Sequence, residues 1–492
     1  MLPNDTVPAA IAVVRGNGQT GTVGALLADS VIVRVTDAGG RPVEDQPVTF
    51  SVTAGGGTVA PLTANTNADG RAGVRWTLGT TAGAQTGQAK VTGSGAPANL
   101  VTVFSATANP AGAATIVRVG GNSQTATAGS ALTDSLVVRV ADAASNPVAG
   151  VGVNWTVTGG GTVSAPTVAT GADGRAAVKW TLGPTAGAQT ATAGAAGLVG
   201  SPIVFDATAV VGTAGKLTIT QQPSSSTQSG VPFAQQPRIQ LRDANGNAVA
   251  QPGIAVTAAI VSGPGASLIG SATVATDGSG LAVFNNLGLS APAGSYTLNF
   301  TGTNLSGVTS DPIVVGAGSA AALSLTVPPS ATASSGVPLT TQPVIQLVDG
   351  SGNAVAQMGK TIVAAIQSGT GTLSGTTSLA TNSSGIASFT NLTLSGAAGS
   401  QVTLSFSASG LVGVSSGTIT IGAGTVSAGN STLTVTGSPI TASTGASAAT
   451  ITVTARDASN NVIPGAAVSV SVTGNNSVTQ PAGGVANGSG VA

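Results

Sequence analysis

Three observations in the sequence predict an all-β fold, arranged as a tandem array of antiparallel two-sheet sandwiches. Apolar and polar residues alternate with period two in runs such as Asp29–Thr36, Pro47–Val52 and Arg71–Leu78. Gly, Asn and Pro bound those runs, and no window carries a helical period with caps. A motif centred on Asp37 returns along the 492 residues at a nearly constant step, the mark of a repeat architecture.

The strands follow in chain order within the first repeat. Val31, Val33 and Val35 share one face of the first run, with Ile32, Arg34 and Thr36 opposite. Val48, Phe50 and Val52 share a face of the second, and Ala72, Val74, Trp76 and Leu78 a face of the third. Such alternation marks strands buried on one side. Seven or so short strands in ~105 residues, with frequent turn signals, describe a sandwich of immunoglobulin type. The Cys…Trp…Cys hallmark is absent because the chain has no Cys, so the apolar core alone must hold each unit. The aromatics recur at equivalent positions: Phe50 with Trp155, Trp76 with Trp180, Phe104 with Phe205, Phe284 with Phe389, and Phe300 with Phe406. A stacking platform for sugars or bases would sit in one unit, not be copied through all of them, so these read as core.

Two anchors set the period. Asp37, Asp142, Asp243, Asp349 and Asp457 stand 105, 101, 106 and 108 residues apart. Turn glycines at Gly70, Gly174, Gly280, Gly385 and Gly490 step by 104, 106, 105 and 105. Five immunoglobulin-like units are therefore expected at 1–110, 111–213, 214–318, 319–424 and 425–492. The fifth stops two residues past its anchor glycine, so it is expected to lack its last strands and to leave an edge and part of its core uncovered. The expectation is a fragment of a longer protein. Repeats 1 and 2 share Gly-Gly-Gly-Thr-Val (Gly55–Val59, Gly159–Val163), Trp-Thr-Leu-Gly (Trp76–Gly79, Trp180–Gly183) and Thr-Ala-Gly-Ala-Gln-Thr (Thr81–Thr86, Thr185–Thr190). Repeats 3 and 4 share Ser-Gly-Val-Pro (Ser229–Pro232, Ser335–Pro338) and Gly-Asn-Ala-Val-Ala-Gln (Gly246–Gln251, Gly352–Gln357).

These motifs resemble the bacterial Ig-like repeats of group 1, the invasin/intimin type. The residues that carry the resemblance are Asp-Ala-x-x-x-Pro-Val followed by Val-Thr-Phe or Asn-Trp, then Gly-Gly-Gly-Thr-Val, Ala-Asp-Gly-Arg-Ala and Trp-Thr-Leu-Gly. Repeats 1 and 2 match best, and repeats 3 and 4 look like divergent relatives. The resemblance implies a large bacterial surface protein in which such repeats act as spacers and adhesive stalks. It brings with it neither a counterpart of the lectin-like receptor-binding module nor a membrane β-barrel in this sequence.

Composition narrows the chemistry. The chain contains no His and no Cys, and only 6% of it is charged, against roughly 25% in ordinary soluble proteins. No Ser-His-Asp or Cys-His arrangement, His or Cys zinc site, thiol redox centre or disulfide can be built from it. The chain is 41% hydrophobic with 15 basic and 15 acidic residues, which argues against disorder. Gly 72 and Pro 25 stay below the share typical of low-complexity chains. Apolar stretches such as Gly253–Val261 and Ala320–Val327 are far shorter than the ~20 residues of a spanning helix. Val7–Val14 has no basic segment before it and makes a poor signal peptide.

The acids are Asp5, Asp29, Asp37, Glu44, Asp45, Asp69, Asp134, Asp142, Asp173, Asp206, Asp243, Asp277, Asp311, Asp349 and Asp457. Five are the repeat anchor, and an Asp that opens a turn, as in Asp243-Ala-Asn-Gly-Asn247, accepts from the backbone two residues on. The sharper alternative is calcium between adjacent repeats. Calcium takes six to eight oxygens, and each repeat offers about three acids spread over its length. No pair of acids stands out as a glycosidase couple. Gly55–Gly57 reads as a turn and Gly316–Gly318 as a flexible junction; neither carries the Lys-Ser/Thr ending of a phosphate loop. Basic residues recur singly near acids and the pI is about 6.2, so nucleic acid is not an expected partner, and no segment suits a membrane surface. The sequence thus offers no catalytic, cofactor-binding or metal residue.

The expected role is a non-enzymatic extracellular or cell-surface stalk or adhesin segment. Units of about 30–40 Å would reach roughly 150–200 Å if five stood in line. Its partners would be host-cell, glycan or other surface ligands bound through parts outside this chain. The alternative is a set of carbohydrate- or surface-recognition modules accessory to a larger secreted enzyme or phage virion protein. Export and anchoring signals are not in the sequence. With so few titrating groups, stability is expected to be nearly flat between pH 5 and 8.

Overall fold

The computed structural model describes residues 7–437, 448–474 and 477–492; Asp5 lies outside them. By contacts, the chain falls into two compact units, Met1–Ala214 with Arg242–Val249, and Gly215–Leu241 with Ala250–Ala492. The described residues form strands and turns throughout, with a single 3-10 turn at Ala482–Gly484 and no α-helix.

In repeat 1 the strands are β1 (Ala10–Arg15), β2 (Gln19–Thr22), β3 (Val31–Thr36), β4 (Pro47–Ala54), β5 (Thr58–Ala60), β6 (Thr63–Asn65), β7 (Arg71–Thr77), β8 (Gly83–Val91) and β9 (Val101–Asn109). They make a sandwich of a four-stranded sheet, β1-β3-β7-β5, on a five-stranded one, β2-β9-β8-β4-β6. The period-two faces predicted from the sequence are the buried faces. Val31, Val33 and Val35 pack with Val48, Phe50, Ala72, Val74, Trp76, Leu78 and Phe104 in one core. Trp76 from one sheet meets Phe104 from the other edge-on at 5.1 Å between ring centres, a geometry worth about 0.5–1.5 kcal/mol beyond the area it buries. Other repeated aromatics meet in tilted pairs: Trp155 with Phe205, within one sheet, Phe284 with Phe300, and Phe389 with Phe406. All ten are at most 3% exposed, which places them in the core as expected.

Repeat 1 has nine strands where seven or so were expected, because one edge is split and the short β5 adds to the other sheet edge. Gly16 and Gly18 adopt φ of 74° and 70°, and the chain crosses there from one sheet to the other. β1 runs antiparallel to β3, whereas β2 runs parallel to β9. The same parallel pair recurs between Gln124–Thr127 and Ile203–Val210, Ser226–Gln228 and Ile313–Gly316, and Thr332–Ser334 and Ile419–Gly422. Repeat 2 crosses near Gly121, at φ 88°, while repeats 3 and 4 have Pro223 and Pro328-Pro329 at that point. Period-two alternation locates a strand's buried face but not the sheet it pairs with, so it does not predict the switch.

All five anchor glycines hold positive φ, between 70° and 76°. At Gly70 an added Cβ would lie 2.5 Å from the Val35 carbonyl oxygen, so the conformation and the close approach both demand glycine. Buried cores separate along the sequence: residues 27–108, 116–209 and 323–421 each hold one. In the fifth repeat Thr432–Thr436 pairs with Thr450–Thr454, and the buried cluster is Ala455, Ala466 and Ala486. Beside it lies an open groove of about 600 Å³ lined by residues including Val435, Ile451, Val468, Val470 and Val478.

Candidate functional site at the repeat junctions

Four of the five anchor aspartates are almost fully buried. Asp142, Asp243 and Asp457 are 1% exposed and Asp349 is 4% exposed. An isolated buried carboxylate is costly, and N–H donors offset that cost at each of these. Asp349 shows the pattern. Its Oδ1 accepts from the Ser351 and Asn353 amides at 2.9 Å each, the turn expected from the sequence. Its Oδ2 accepts from the Gly318 amide at 2.7 Å and from Asn353 Nδ2 at 2.8 Å. Gly318 lies on the segment that enters the repeat, so the carboxylate ties that segment to the loop. Asp142 holds Ala111 at 3.0 Å, Asp243 holds Gly212 at 3.0 Å and Asp457 holds Gly424 at 2.8 Å in the same way. The Gly316–Gly318 stretch is therefore pinned, which corrects its reading as a flexible junction: Gly318 is buried, and its amide is spoken for.

The asparagine four residues after each buried aspartate completes the arrangement. Asn146 Nδ2 donates to the Thr80 carbonyl and its Oδ1 accepts from the Ala82 amide, each at 2.8 Å. Asn247 does this with Pro184 and Ala186, Asn353 with Ala291 and Ala293, and Asn461 with Gly396 and Ala398. One side-chain amide thus takes both backbone groups of a loop some 60 residues earlier, as a neighbouring strand would. Repeat 1 carries Arg41 at this position, and Asp37 accepts from the Gly39 and Arg41 amides.

The loops that face the asparagines are themselves held by the motifs that distinguish the two repeat types. In Thr81–Thr86, buried Gln85 accepts from the Gly79 amide at 2.9 Å and donates to the Thr81 carbonyl at 2.9 Å. Gln189 repeats this with Gly183 and Thr185. In the other type, Ser229 and Ser335 of Ser-Gly-Val-Pro accept from the Ala291 and Gly396 amides. Recurrence of these Asn, Gln and Ser residues is visible in the sequence, but their task is not. The signal for it is Asn at the fourth position after Asp in four repeats, with Arg in the first.

Electrostatically, burial pushes the Asp142, Asp243, Asp349 and Asp457 carboxyls up. The hydrogen bonds to the asparagine side chains and backbone amides outweigh it and hold all four below the usual carboxylate range. Asp277 is lowered by the Ser279 hydroxyl and nearby amides on an exposed turn. Carboxylate oxygens already met by N–H donors are poorly placed to ligate a cation. Among the described residues no three Asp or Glu side chains gather into a metal-sized group. The remaining acids are dispersed, with Asp29 paired to exposed Arg15 at 2.9 Å and Asp173 near Arg175 at 3.7 Å. What the junctions can do chemically is bind backbone, and bind it identically four times.

Residues 27–105 match the profile of the bacterial Ig-like domain (group 1). No curated protein matches the chain. Among solved structures, the chain is similar to the Escherichia coli adhesin FdeC at 20% identity, with 63% of this chain and 96% of that one covered and a TM-score of 0.36. It is similar to invasin, described as a bacterial integrin-binding protein, at 17% identity, covering 84% and 79% with a TM-score of 0.29. It is similar to Yersinia pseudotuberculosis InvD at 16% identity, covering 63% and 98% with a TM-score of 0.31.

Proposed function

We propose that this chain is a non-enzymatic spacer of a bacterial surface adhesin, five Ig-like domains that hold a binding region away from the cell. Domain limits at 110, 213, 318 and 424 accord with this reading, since separate cores lie within 27–108, 116–209 and 323–421. The observation that carries it is the fourfold Asp–Asn arrangement: a chain that spends its buried carboxylates on joining one repeat to the next is built for connection. The chain has no His or Cys for a Ser-His or Cys-His pair, and among the described residues no three Asp or Glu side chains gather. Among the described residues no helix is long and apolar enough to cross a membrane. Ligands at a host-cell or glycan surface would be met by parts outside this chain.

Small-angle scattering of the chain tests the spacer reading. A compact protein of 492 residues has a radius of gyration of about 23 Å. A spacer should give roughly twice that value, and a radius near the compact one overturns the proposal.

A further inference from the structure

Two positions change with the type of the repeat that comes before a junction, and the room for a side chain changes at a third. The first is the residue after the parallel edge strand. Val23, Ala128, Ser229 and Ser335 are equivalent there, because each amide donates to the end of its repeat's last strand, at Asn109, Val210, Gly316 and Gly422. Of these four residues, the two in repeats 3 and 4 carry a hydroxyl. The second is the residue two after the aspartate in the following loop. It is Ala144 and Asn245 after repeats 1 and 2, and Ser351 and Ser459 after repeats 3 and 4. Ser351 Oγ lies 2.9 Å from Ser229 Oγ, and Ser459 Oγ lies 2.8 Å from Ser335 Oγ. Asn245 instead donates to the Ala128 carbonyl at 2.7 Å. The third is the linker residue that donates to the aspartate, Ala111 or Gly212 in one group and Gly318 or Gly424 in the other. A Cβ at Gly318 would stand 2.3 Å from the Ser229 carbonyl oxygen, and at Gly424 only 1.9 Å from that of Ser335.

We propose that the Asp-x-x-x-Asn loop is a docking element for the preceding repeat, and that the residue two after its aspartate selects which type of repeat is accepted. The asparagine supplies the general part. It reads one carbonyl and one amide two residues apart, groups that every loop owns, so Thr80, Pro184, Ala291 and Gly396 all serve as acceptors. Selection comes from the second position. A serine there finds the hydroxyl of Ser229 or Ser335, whereas against Val23 or Ala128 it would face no hydroxyl, and Asn245 uses its longer reach to find a backbone carbonyl instead. Order along the array is thereby written into side chains at the junctions. The inference does not depend on the surface role proposed above: a compact scattering radius would remove that role and leave the local docking contacts untouched.

Hydrogen exchange on the full chain tests both parts, read at the Ala293 and Gly318 amides, with Leu298 and Ile345 in the flanking strands as internal controls. In Asn353→Ala, exchange at Ala293 and Gly318 should accelerate at least tenfold while the controls stay protected. Ser351→Ala and Ser351→Asn should each accelerate the same amides by a smaller factor, about two- to fivefold. Ala144→Ser, placed after a repeat without the hydroxyl, should leave the amides of Ala82 and Ala111 unchanged or faster. Unchanged exchange in Asn353→Ala overturns docking. Wild-type exchange in both Ser351 variants, with Asn353→Ala accelerated, overturns selection. Should Asn353→Ala also release the controls, Asn461→Ala tests docking independently at Ala398 and Gly424: acceleration there supports it, and unchanged exchange overturns it.

Discussion

Asp349 shows how one buried side chain can hold a turn and a linker together. Its two oxygens face different parts of the chain, Oδ1 its own loop and Oδ2 the incoming segment at Gly318. The loop half was legible in the sequence, because Asp followed by small turn residues predicts acceptance from the backbone two residues on. The linker half was not. Asn353 and Asp349 bond to backbone groups at Ala291, Ala293 and Gly318, and every residue but proline carries such an amide, so no letter marks the partner. The linker glycines carry a testable asymmetry. Gly318→Ala should destabilise the chain by about 1–3 kcal/mol, the usual range for forcing an atom into filled space, because its Cβ would meet a backbone oxygen. Gly212→Ala should cost under about 0.5 kcal/mol: its nearest neighbour is the Thr127 methyl at 3.3 Å, and Ala111 already stands at the matching position. Denaturant melts of the two variants check this, and equal losses would contradict it.

At the scale of elements, periodicity located buried faces and missed pairing partners. Val31–Thr36 and Arg71–Thr77 bury the residues that alternation selects, since a strand covered on one side leaves that pattern whatever it pairs with. The crossing from β1 to β2 depends on backbone freedom at Gly16 and Gly18 and on which edge is vacant, and alternation contains neither. Gln85 is a similar case: a polar residue inside a strand reads as solvent-facing, yet it is 0% exposed. It sits there because the turn at Gly79 turns its amide inward and needs an acceptor. Gln85→Leu keeps most of the volume and removes the polar end. The Gly79 amide and the Thr81 carbonyl then lose their side-chain partner, at about 1–3 kcal/mol for a buried orphan group. The opening free energy of repeat 1, measured by hydrogen exchange in β7 and β8, should therefore fall by about 2–4 kcal/mol. A fall below about 0.5 kcal/mol, the low end for a net hydrogen bond, would mean that Gln85 does not hold the loop.

For the whole molecule, the scarcity of charge and the uses made of it lead to one pH dependence. With no His and no Cys, no ordinary side chain titrates between pH 5 and 8, so the melting temperature should hold steady across that window. Acid is different. Asp142, Asp243, Asp349 and Asp457 are held below the usual carboxylate value in the folded chain. A group of that kind adds stability above its unfolded value, about 3.9, and loses it as pH falls through the lower folded value. The cores contain no such group: residues such as Trp76, Trp180, Phe300 and Phe406 do not titrate. Loss in acid should therefore begin at the junctions and reach the cores later. Hydrogen exchange corrected for intrinsic rate should show the Ala82, Ala293, Gly318 and Gly424 amides losing protection below about pH 4, under conditions where strand amides such as Val33 and Leu298 remain protected. Cores and junctions opening together in acid would contradict this order, and so would a melting temperature that moved by several degrees between pH 5 and 8.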